Sequence, residues 1–336
     1  MAGIEDVARL AGLSTATVSR ALSGNGHVSP ASREKVRAAA AELGYVVSSN
    51  ASSLASGRMK NVGIVIPTLG SWFFAAVLEG AETALLSHGY DVTLYNLTGG
   101  GDARRSVFEH FLPRNRVDAV LAVSLELTDA ELAQLHALGK PIVGVGGPLP
   151  GVRTLSIDDE AVARLATEHL ISLGHTRIAL IGGDAASDRD FHIPRHRAAG
   201  YRAALEEAGI AVDPELSESA AFSTPGGYEA AKQLLGSPSR RPTAIVASSD
   251  EMAFGAILAA RDLGFNVPRD ISVIGIDGHE LGEFFGLSTV AQHPRRQGER
   301  AVAALLGELL PGADHVADTP VPVDLVVRSS TSRPPD

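Results

Sequence analysis

From residue 61 onward, short runs rich in Val and Ile alternate with helical segments, and this alternation limits the possible folds most strongly. The apolar runs are NVGIVIP, YDVTLYN, VDAVLAVS, KPIVGVGG, RIALIGG, PTAIVASS and ISVIGIDG. Between them lie segments whose apolar residues have helical spacing, such as EAVARLATEHLISLG and RAAGYRAALEEAG. Strands that alternate with helices in this way predict a parallel α/β sheet. The pattern restarts at RIALIGG, so we expect two similar α/β lobes.

The first 45 residues have a different, all-helical pattern. Apolar residues at helical spacing begin at Ile4 and stop at Gly12, which can adopt a positive φ. Ser14 is a good N-cap for a second helix, and Ser29-Pro30 marks the start of a third. Two short helices joined by a glycine turn and supported by a third form the helix-turn-helix plan. A small helical bundle without a DNA role has the same spacing, so the pattern alone leaves both interpretations open.

Charge is distributed unevenly along the chain. The net charge of the 336 residues is −10, but the first 60 contain seven Lys and Arg against four Asp and Glu. A basic head on an acidic body indicates that the head meets phosphate. The sequence contains no Cys, which excludes disulfides and thiolate metal sites. We find no signal peptide and no apolar run of about 18 residues, so a cytoplasmic protein without a membrane partner is expected.

A resemblance to a known family favours the DNA-binding interpretation. The segments IEDVARLAGLSTATVSRAL and HVSPASREKVRAAAAELGY resemble the headpiece of the LacI/GalR family of bacterial transcription regulators, and the likeness extends along nearly the whole chain. It implies a helix-turn-helix headpiece, a hinge and a two-lobed α/β core of the periplasmic-binding-protein type (type I). The implied boundaries are 1–46 for the headpiece, 47–60 for the hinge, 61–336 for the core, about 61–158 and 290–321 for the first lobe, and about 159–289 with a closing strand at 322–330 for the second lobe.

The resemblance also assigns roles within the headpiece. Thr15, Ala16 and Arg20 match the base-reading positions of the second helix, which enters the major groove in this motif. An arginine there can donate two hydrogen bonds to guanine O6 and N7. The positions that match phosphate-contacting residues, which orient the protein without reading sequence, are Ser14, Ser19, His27 and Ser29.

The Ser-rich segment 46–60 follows the headpiece. Its composition alone is typical of a flexible linker. In the family this segment is a hinge helix that orders on operator DNA as a pair in the dimer. Leu54 matches the leucine that is inserted into the minor groove, where an apolar wedge unstacks a base step and kinks the duplex.

Ligands of open parallel sheets bind at the carboxyl ends of the strands, so two lobes would hold a ligand between them. The candidate residues at such strand ends and helix starts are Ser71, Phe73, Phe74, Ser124, Arg197, Phe222, Ser249 and Asp277. The resemblance implies that Arg197 and Asp277 contact the effector. Because a guanidinium donates hydrogen bonds and a carboxylate accepts them from hydroxyls, the pair favours a sugar-like effector. The alternatives are a plain core role for the phenylalanines and an interlobe salt bridge between Arg197 and Asp277.

No local motif indicates an enzyme, a cofactor or a metal. In GVGGPLPG two prolines block the helix start that a phosphate loop needs, so the segment is interpreted as a turn. His192 and His196 have a metal-binding spacing, but Pro194 lies between them. We therefore expect a repressor, homodimeric or of higher order, that binds a near-palindromic operator and responds to a small-molecule effector. A ligand-binding protein of the periplasmic type and an enzyme on the same frame are the rival interpretations.

Overall fold

The computed structural model describes residues 2–23, 27–45, 58–98, 101–183, 193–239, 241–309 and 321–335. It contains two compact units. One consists of Met1–Asn61 with Arg116–Asp118, and the other of Val62–Asn115 with Ala119–Asp336.

The first unit begins with three helices: α1 (Ile4–Ala11), α2 (Thr15–Ser23) and α3 (Pro30–Glu42). Gly12 ends α1 in the left-handed region, with φ 66°. Ser14 begins α2, and its Oγ accepts a hydrogen bond from the Thr17 N–H at 3.2 Å. Side-chain oxygens at such positions satisfy the amide groups that a helix start leaves without a partner.

The small core of the headpiece draws apolar residues from all three helices. Val7, Val18 and Val36, one from each helix, are fully buried and belong to a single apolar cluster that buried alanines complete. This spacing leaves the opposite face of α2 in solvent. The three-helix arrangement agrees with the helix-turn-helix prediction.

The second unit alternates strands and helices along its length. Its first part contains β1 (Asn61–Ile66), α4 (Trp72–Ser87), β2 (Asp91–Asn96), α5 (Gly101–Ser106), β3 (Ala119–Val123), α6 (Asp129–Ala137), β4 (Ile142–Val145) and β5 (Arg153–Leu155). Its later part contains α7 (Asp159–Ser172), β6 (Ile178–Gly183), α8 (Ile193–Glu207), β7 (Ser217–Ala220), α9 (Thr224–Gly236), β8 (Ala244–Ala247), α10 (Asp250–Asp262), β9 (Ser272–Asp277), α11 (Gly282–Phe285), β10 (Ser288–Ala291), α12 (Pro294–Leu309) and β11 (Asp324–Val326). A π-helical segment (Val107–Phe111) and 3-10 turns (Leu112–Arg114 and Pro214–Leu216) lie between them.

The first lobe is built on a sheet with the strand order β2-β1-β3-β4-β5. In it β1, β3, β4 and β5 run parallel, with Val62 opposite Ala119. The helices α4 and α12 pack on this sheet through buried residues such as Val77 and Val302. Helix α12 thus returns to the first lobe although it follows the strands of the second lobe in sequence.

The second lobe is built on a sheet with the order β11-β10-β9-β8-β6-β7. The strands from β10 to β7 are parallel, whereas β11 pairs antiparallel with β10. Helices α9 and α10 cover one face of the sheet, and α7 and α8 cover the other. Burial on both faces explains why these strands are continuous Val/Ile runs rather than alternating ones. The α/β class and the two-lobed core are therefore confirmed.

Two details differ from the sequence-based expectation. The expected return to the first lobe at about residue 290 falls inside β10, which pairs with β9 in the second lobe, so the chain returns after Ala291. The predicted closing strand 322–330 is shorter, since β11 covers only Asp324–Val326. Residues 46–57, which include most of the expected hinge and Leu54, lie outside the described residues.

Candidate functional site

A cavity of about 170 Å³ lies between the two lobes of the second unit. All eight residues that the sequence predicts for effector binding line it: Ser71, Phe73, Phe74, Ser124, Arg197, Phe222, Ser249 and Asp277. Eight further residues complete the lining: Thr68, Gly146, Ile157, Asp159, Ile193, Glu251, Gln292 and Gln297. Side chains that are far apart in sequence thus meet at one small-molecule-sized space, and their role in binding stays a prediction.

Arg197 is held in place by partners from its own lobe. It is almost fully buried on α8, and its Nε donates to Asp159 Oδ1 at 2.8 Å. Its Nη1 donates to the backbone carbonyl of Ser248. The alternative of an interlobe salt bridge with Asp277 is wrong, because the carboxylate that pairs with Arg197 is Asp159, at the start of α7 in the same lobe. The guanidinium therefore presents a fixed donor plane to the cavity.

Asp277 ends β9 with an unusual backbone conformation, φ 139°. This region is favoured by glycine, and residues held there cluster at functional sites. Its Oδ1 accepts from Gln292 Nε2 at 2.6 Å, and its Oδ2 accepts from the Asp250 N–H at 3.4 Å. Burial raises the pKa of Asp277 to about 8; the Arg197 guanidinium opposes this rise, and the Asp250 carboxylate adds to it. A carboxyl group with a strongly raised pKa at the wall of a cavity is typical of functional sites.

Asp250, which is fully buried next to Asp277, has a structural role. Its carboxylate accepts from Thr289 Oγ1 at 2.7 Å and from the N–H groups of Gly278 and His279 at 2.9 and 2.7 Å. Burial raises its pKa to about 6, against these hydrogen bonds. Asp250 thus fixes the loop that follows Asp277 and holds that residue at the wall of the cavity.

Ser124 follows β3 in the first lobe, on the other side of the cavity. Its φ is 44°, and its side chain is buried. Its Oγ has no hydrogen-bond partner within the described part of the chain. A buried hydroxyl without a partner costs free energy, so this atom is a candidate for a hydrogen bond to a bound ligand.

The three phenylalanines belong both to the cores and to the cavity wall. Phe73 and Phe74 pack edge to face with ring centroids 5.7 Å apart and contact the first-lobe core. Phe222 packs against the second-lobe core. All three are only partly buried. A plain core role therefore accounts for part of the surroundings of the three phenylalanines. Their exposed faces can still contact the apolar face of a ring in a bound ligand.

The polar groups that line the cavity favour a ligand rich in hydroxyls. Within the described residues, three carboxyl groups (Asp159, Glu251 and Asp277) and one guanidinium (Arg197) face it. The amides of Gln292 and Gln297 and several hydroxyls add donors and acceptors. Partly apolar walls with a few convergent polar groups are typical of small-molecule sites.

Sequence reasoning missed Glu251 and the two glutamines as lining residues. Glu251 follows Ser249-Asp250 in the segment that begins α10, so its position just after a strand end was a usable signal. Gln292 follows β10, which is a strand of only four residues, STVA, with two hydroxyl side chains. Recognition of that strand was needed to place Gln292 at the cavity.

In the headpiece, the residues predicted to contact DNA lie mainly at the start of α2. Ser14, Thr15, Ala16 and Arg20 are exposed, and Ser19 is partly exposed. His27 is exposed, and Ser29 caps α3 by accepting from the Ser32 N–H at 3.2 Å. Leu54 lies outside the described residues. The described base-reading and phosphate candidates therefore form an exposed surface, and its contact with DNA stays a prediction.

Other site types find no support in the described residues. No group of three or more His, Cys, Asp or Glu in that part of the chain could hold a metal ion. His192, one of the two histidines whose spacing was weighed against a metal role, lies outside it. None of the described helices combines the length and the apolar composition that a membrane span requires.

Comparison with known proteins identifies the family. Residues 3–48 match the family of bacterial regulatory proteins named lacI, and residues 167–331 match the periplasmic binding protein-like domain. The HTH-type transcriptional repressor PurR of Vibrio atlanticus is 35% identical over 324 residues, which cover 94% of both chains. The chain belongs to the LacI family. It is accordingly a transcriptional regulator of the repressor type with a sugar- or metabolite-binding domain, rather than an enzyme.

Two solved structures agree with this assignment to the LacI family. The Lac repressor dimer bound to operator and an anti-inducer superimposes with a TM-score of 0.85, at 28% identity, covering 98% of this chain and 99% of that one. A LacI-family regulator from Enterococcus faecium with bound ribose gives 0.71, at 28% identity, covering 81% and 99%. The headpiece and the two-lobed core of this LacI-family regulator therefore occur together in known relatives.

Proposed function

We propose that this LacI-family repressor binds a near-palindromic operator as a homodimer and is controlled by a small sugar-like effector in the interlobe cavity. The observation that carries the proposal is the convergence of Ser71, Ser124, Arg197 and Asp277, from both lobes, on one cavity in a chain that also has an exposed headpiece helix. In this proposal residues 1–46 read DNA, 47–60 form the hinge and 61–336 sense the effector.

The base-reading role of α2 rests on its exposed face. Thr15 and Arg20 can make hydrogen bonds to base edges, whereas Ala16 offers only an apolar contact. Ser14 and Ser29 are helix N-caps and present amide-rich helix starts to phosphate. The operator-bound Lac repressor structure supports this assignment.

The homodimer is supported by an exposed apolar surface on the second lobe. Phe284 on α11 is 84% exposed, and the adjacent Leu281 is 44% exposed. A large aromatic side chain in solvent is typical of a surface that a partner covers, and a two-fold contact would bury both copies together. A dimer also presents two headpieces to the two half-sites of a near-palindrome.

The effector class follows from the lining. Asp277 and Asp159 can accept hydrogen bonds from sugar hydroxyls, while Phe73 and Phe222 can contact the apolar face of a sugar ring. The ribose-bound relative makes ribose a suitable first probe. Effector binding would change how the lobes close, and that change would alter operator affinity through a coupling free energy.

A pair of variants tests the proposal by separating the two sites. Arg20→Ala should lose discrimination between operator and random DNA, while binding driven by phosphate contacts largely survives. Asp277→Ala should bind operator normally and lose the response to effector. Electrophoretic mobility shifts with and without ribose, repeated with a panel of other sugars, measure both. An equal loss on all DNA sequences in Arg20→Ala, or a normal effector response in Asp277→Ala, would show that the corresponding residue has been misassigned.

A further inference from the structure

The start of α4 in the first lobe is capped from the second lobe. A helix start leaves N–H groups without intrahelical partners, and a carboxylate there is stabilised by the helix dipole. Ser71, the N-cap residue of α4, makes no capping hydrogen bond with its own side chain. Glu251 Oε2, from α10, instead accepts from the Trp72 N–H at 3.3 Å and from Ser71 Oγ at 3.5 Å.

The contact from the Trp72 N–H is longer than the usual 2.9–3.0 Å of an N–H···O bond, and the contact from Ser71 Oγ is longer than the usual 2.7–2.8 Å of an O–H···O bond. A small further approach of the lobes would shorten both at once. Because Glu251 and Ser71 also line the cavity, a ligand that draws the lobes together would strengthen this cap. Separation of the lobes would leave the start of α4 to water.

Trp72 makes a second bridge between the lobes. Its indole ring stacks on the imidazole of His279, with centroids 4.3 Å apart and planes at 20°. Its Nε1 donates to Glu280 Oε2 at 3.1 Å. Arg295, on α12 of the first lobe, also reaches Glu280 at 3.5 Å and pairs with Glu79 at 2.7 Å.

The second-lobe side of the bridge is held firmly. His279 is buried, packs edge-on against Phe254 and accepts the Leu281 N–H on Nδ1 at 3.0 Å. The backbone N–H of His279 donates to Asp250 Oδ2. His279 and Glu280 also follow Asp277 by two and three residues, so any movement of Asp277 on ligand binding reaches them through a short, fixed loop.

We propose that Trp72 and Glu251, together with His279 and Glu280, form a latch that stabilises the closed cavity before effector binds and slows effector release. The statement about release rests on the proposed effector function, whereas the statement about closure does not. The latch residues act on the equilibrium between open and closed lobes, so their loss should increase the open population without unfolding either lobe.

Trp72 is the only tryptophan of the chain, so its fluorescence reports on the latch directly. In effector-free protein, the Glu251→Ala/Glu280→Ala double variant should increase the acrylamide Stern–Volmer constant of Trp72 by about twofold or more, as the open population rises. Glu251→Gln, which retains an acceptor oxygen, should restore most of the shielding lost in Glu251→Ala. Glu283→Ala, an exposed carboxylate three residues beyond Glu280, is the charge-matched control and should be quenched like wild type.

The thermal midpoint of the double variant should stay within a few degrees of wild type (about 4 °C or less), since its contacts are partly exposed and lie between the lobes. Stern–Volmer constants equal to wild type in the double variant would overturn the latch, whatever the effector is. With ribose as the probe, stopped-flow fluorescence should show dissociation about 3- to 10-fold faster in Glu280→Ala, whose side chain does not line the cavity, and association changed far less. If wild type binds neither ribose nor any other sugar of the panel, the proposed effector class fails, and the quenching experiment still decides on the latch.

Discussion

The Oγ of Ser124 lies next to the bare Cα of Gly146, where a Cβ would stand 2.3 Å from it. Gly146 also has a φ of 93°, which side chains rarely adopt. Only glycine at 146 therefore leaves the buried Ser124 hydroxyl its place at the wall of the cavity. The arrangement leaves one buried polar atom at the cavity wall without a partner in the described part of the chain, as a hydrogen bond to a hydroxylated ligand requires.

Ser124→Ala is predicted to weaken effector binding without destabilising the free protein. The Oγ has no partner within the described chain, so its removal leaves nothing unpaired. A net hydrogen bond of ~0.5–1.5 kcal/mol corresponds to about a 2- to 13-fold rise in the effector Kd. Calorimetric titration and urea unfolding measure the two quantities. A loss of stability with unchanged affinity would show that the hydroxyl has a structural partner instead.

Effector affinity is predicted to increase with pH through the range of Asp277. In the free protein, burial holds the pKa of this carboxyl at about 8, so below that pH it is largely protonated. Effector hydroxyls donate best to the ionised form, so binding releases a proton, and the affinity rises by up to about tenfold per pH unit until the pKa is passed.

Titration calorimetry at pH 6, 7 and 8, in buffers that differ in ionisation enthalpy, measures this proton release. Asp277→Asn, which does not titrate, is the control and should bind with a flat pH profile. An affinity that falls with rising pH would mean that the carboxylic acid donates its proton to the ligand.

His175 is predicted to make the fold sensitive to acid. It is buried, its Nε2 donates to the Ser332 carbonyl at 2.9 Å, and its Nδ1 lies 2.8 Å from Thr243 Oγ1. Burial lowers its pKa, so in acid the unfolded chain binds a proton that the folded protein does not. The stabilisation that neutral His175 gives the fold is therefore complete above the ordinary His pKa of about 6.5. It is lost as the pH falls below that value.

The raised pKa values of Asp250 and Asp277 act in the opposite sense, since the folded protein retains their protons at a pH where the unfolded chain loses them. The test is therefore the difference in the free energy of unfolding between wild type and a His175 variant at each pH. Urea unfolding between pH 5 and 7.5 should show the gap between wild type and His175→Gln narrowing as the pH falls. His110→Gln, at an exposed position, should follow wild type throughout. A constant gap for His175→Gln would refute the acid-sensitive role.

Much of the fold could be predicted from the sequence, because buried parallel strands have a strong apolar signature. Three strands were missed: β5, β7 and β10 have the sequences RTL, SESA and STVA. They are three or four residues long, and β5 and β7 lie at the ends of their sheets, where little apolar surface is needed.

The candidate site divides in the same way between local and long-range features. Strand ends and helix starts were visible in the sequence, and all eight predicted residues meet at the cavity. The pairing of Arg197 with Asp159 spans 38 residues, and the cap that Glu251 provides for Trp72 spans 179. The first contact depends on how α8 packs beside α7 within one lobe, and the second depends on how the two lobes close. Local sequence patterns encode neither.

Gly298→Ala is predicted to destabilise the first lobe. A Cβ there would lie 2.1 Å from the Val77 carbonyl oxygen, so α4 and α12 would have to separate. Overpacking of this kind costs ~1–3 kcal/mol in the free energy of unfolding. Gly236→Ala, at a helix end with open space around it, is the control and should leave stability unchanged or raise it by up to about 1 kcal/mol. Equal stability of the two variants would mean that the helices pack less closely than described.

The measurement that tests the regulatory function most directly is selection of bound sequences from a random DNA pool, with and without ribose and a panel of other sugars. The predicted result is an enriched near-palindrome in wild type, with half-sites that are less well defined in Arg20→Ala. The amount of this sequence that wild type recovers should change with one of the sugars. The amount that Asp277→Ala recovers should not change with any sugar. Absence of any enriched sequence under all of these conditions would contradict the proposed operator binding.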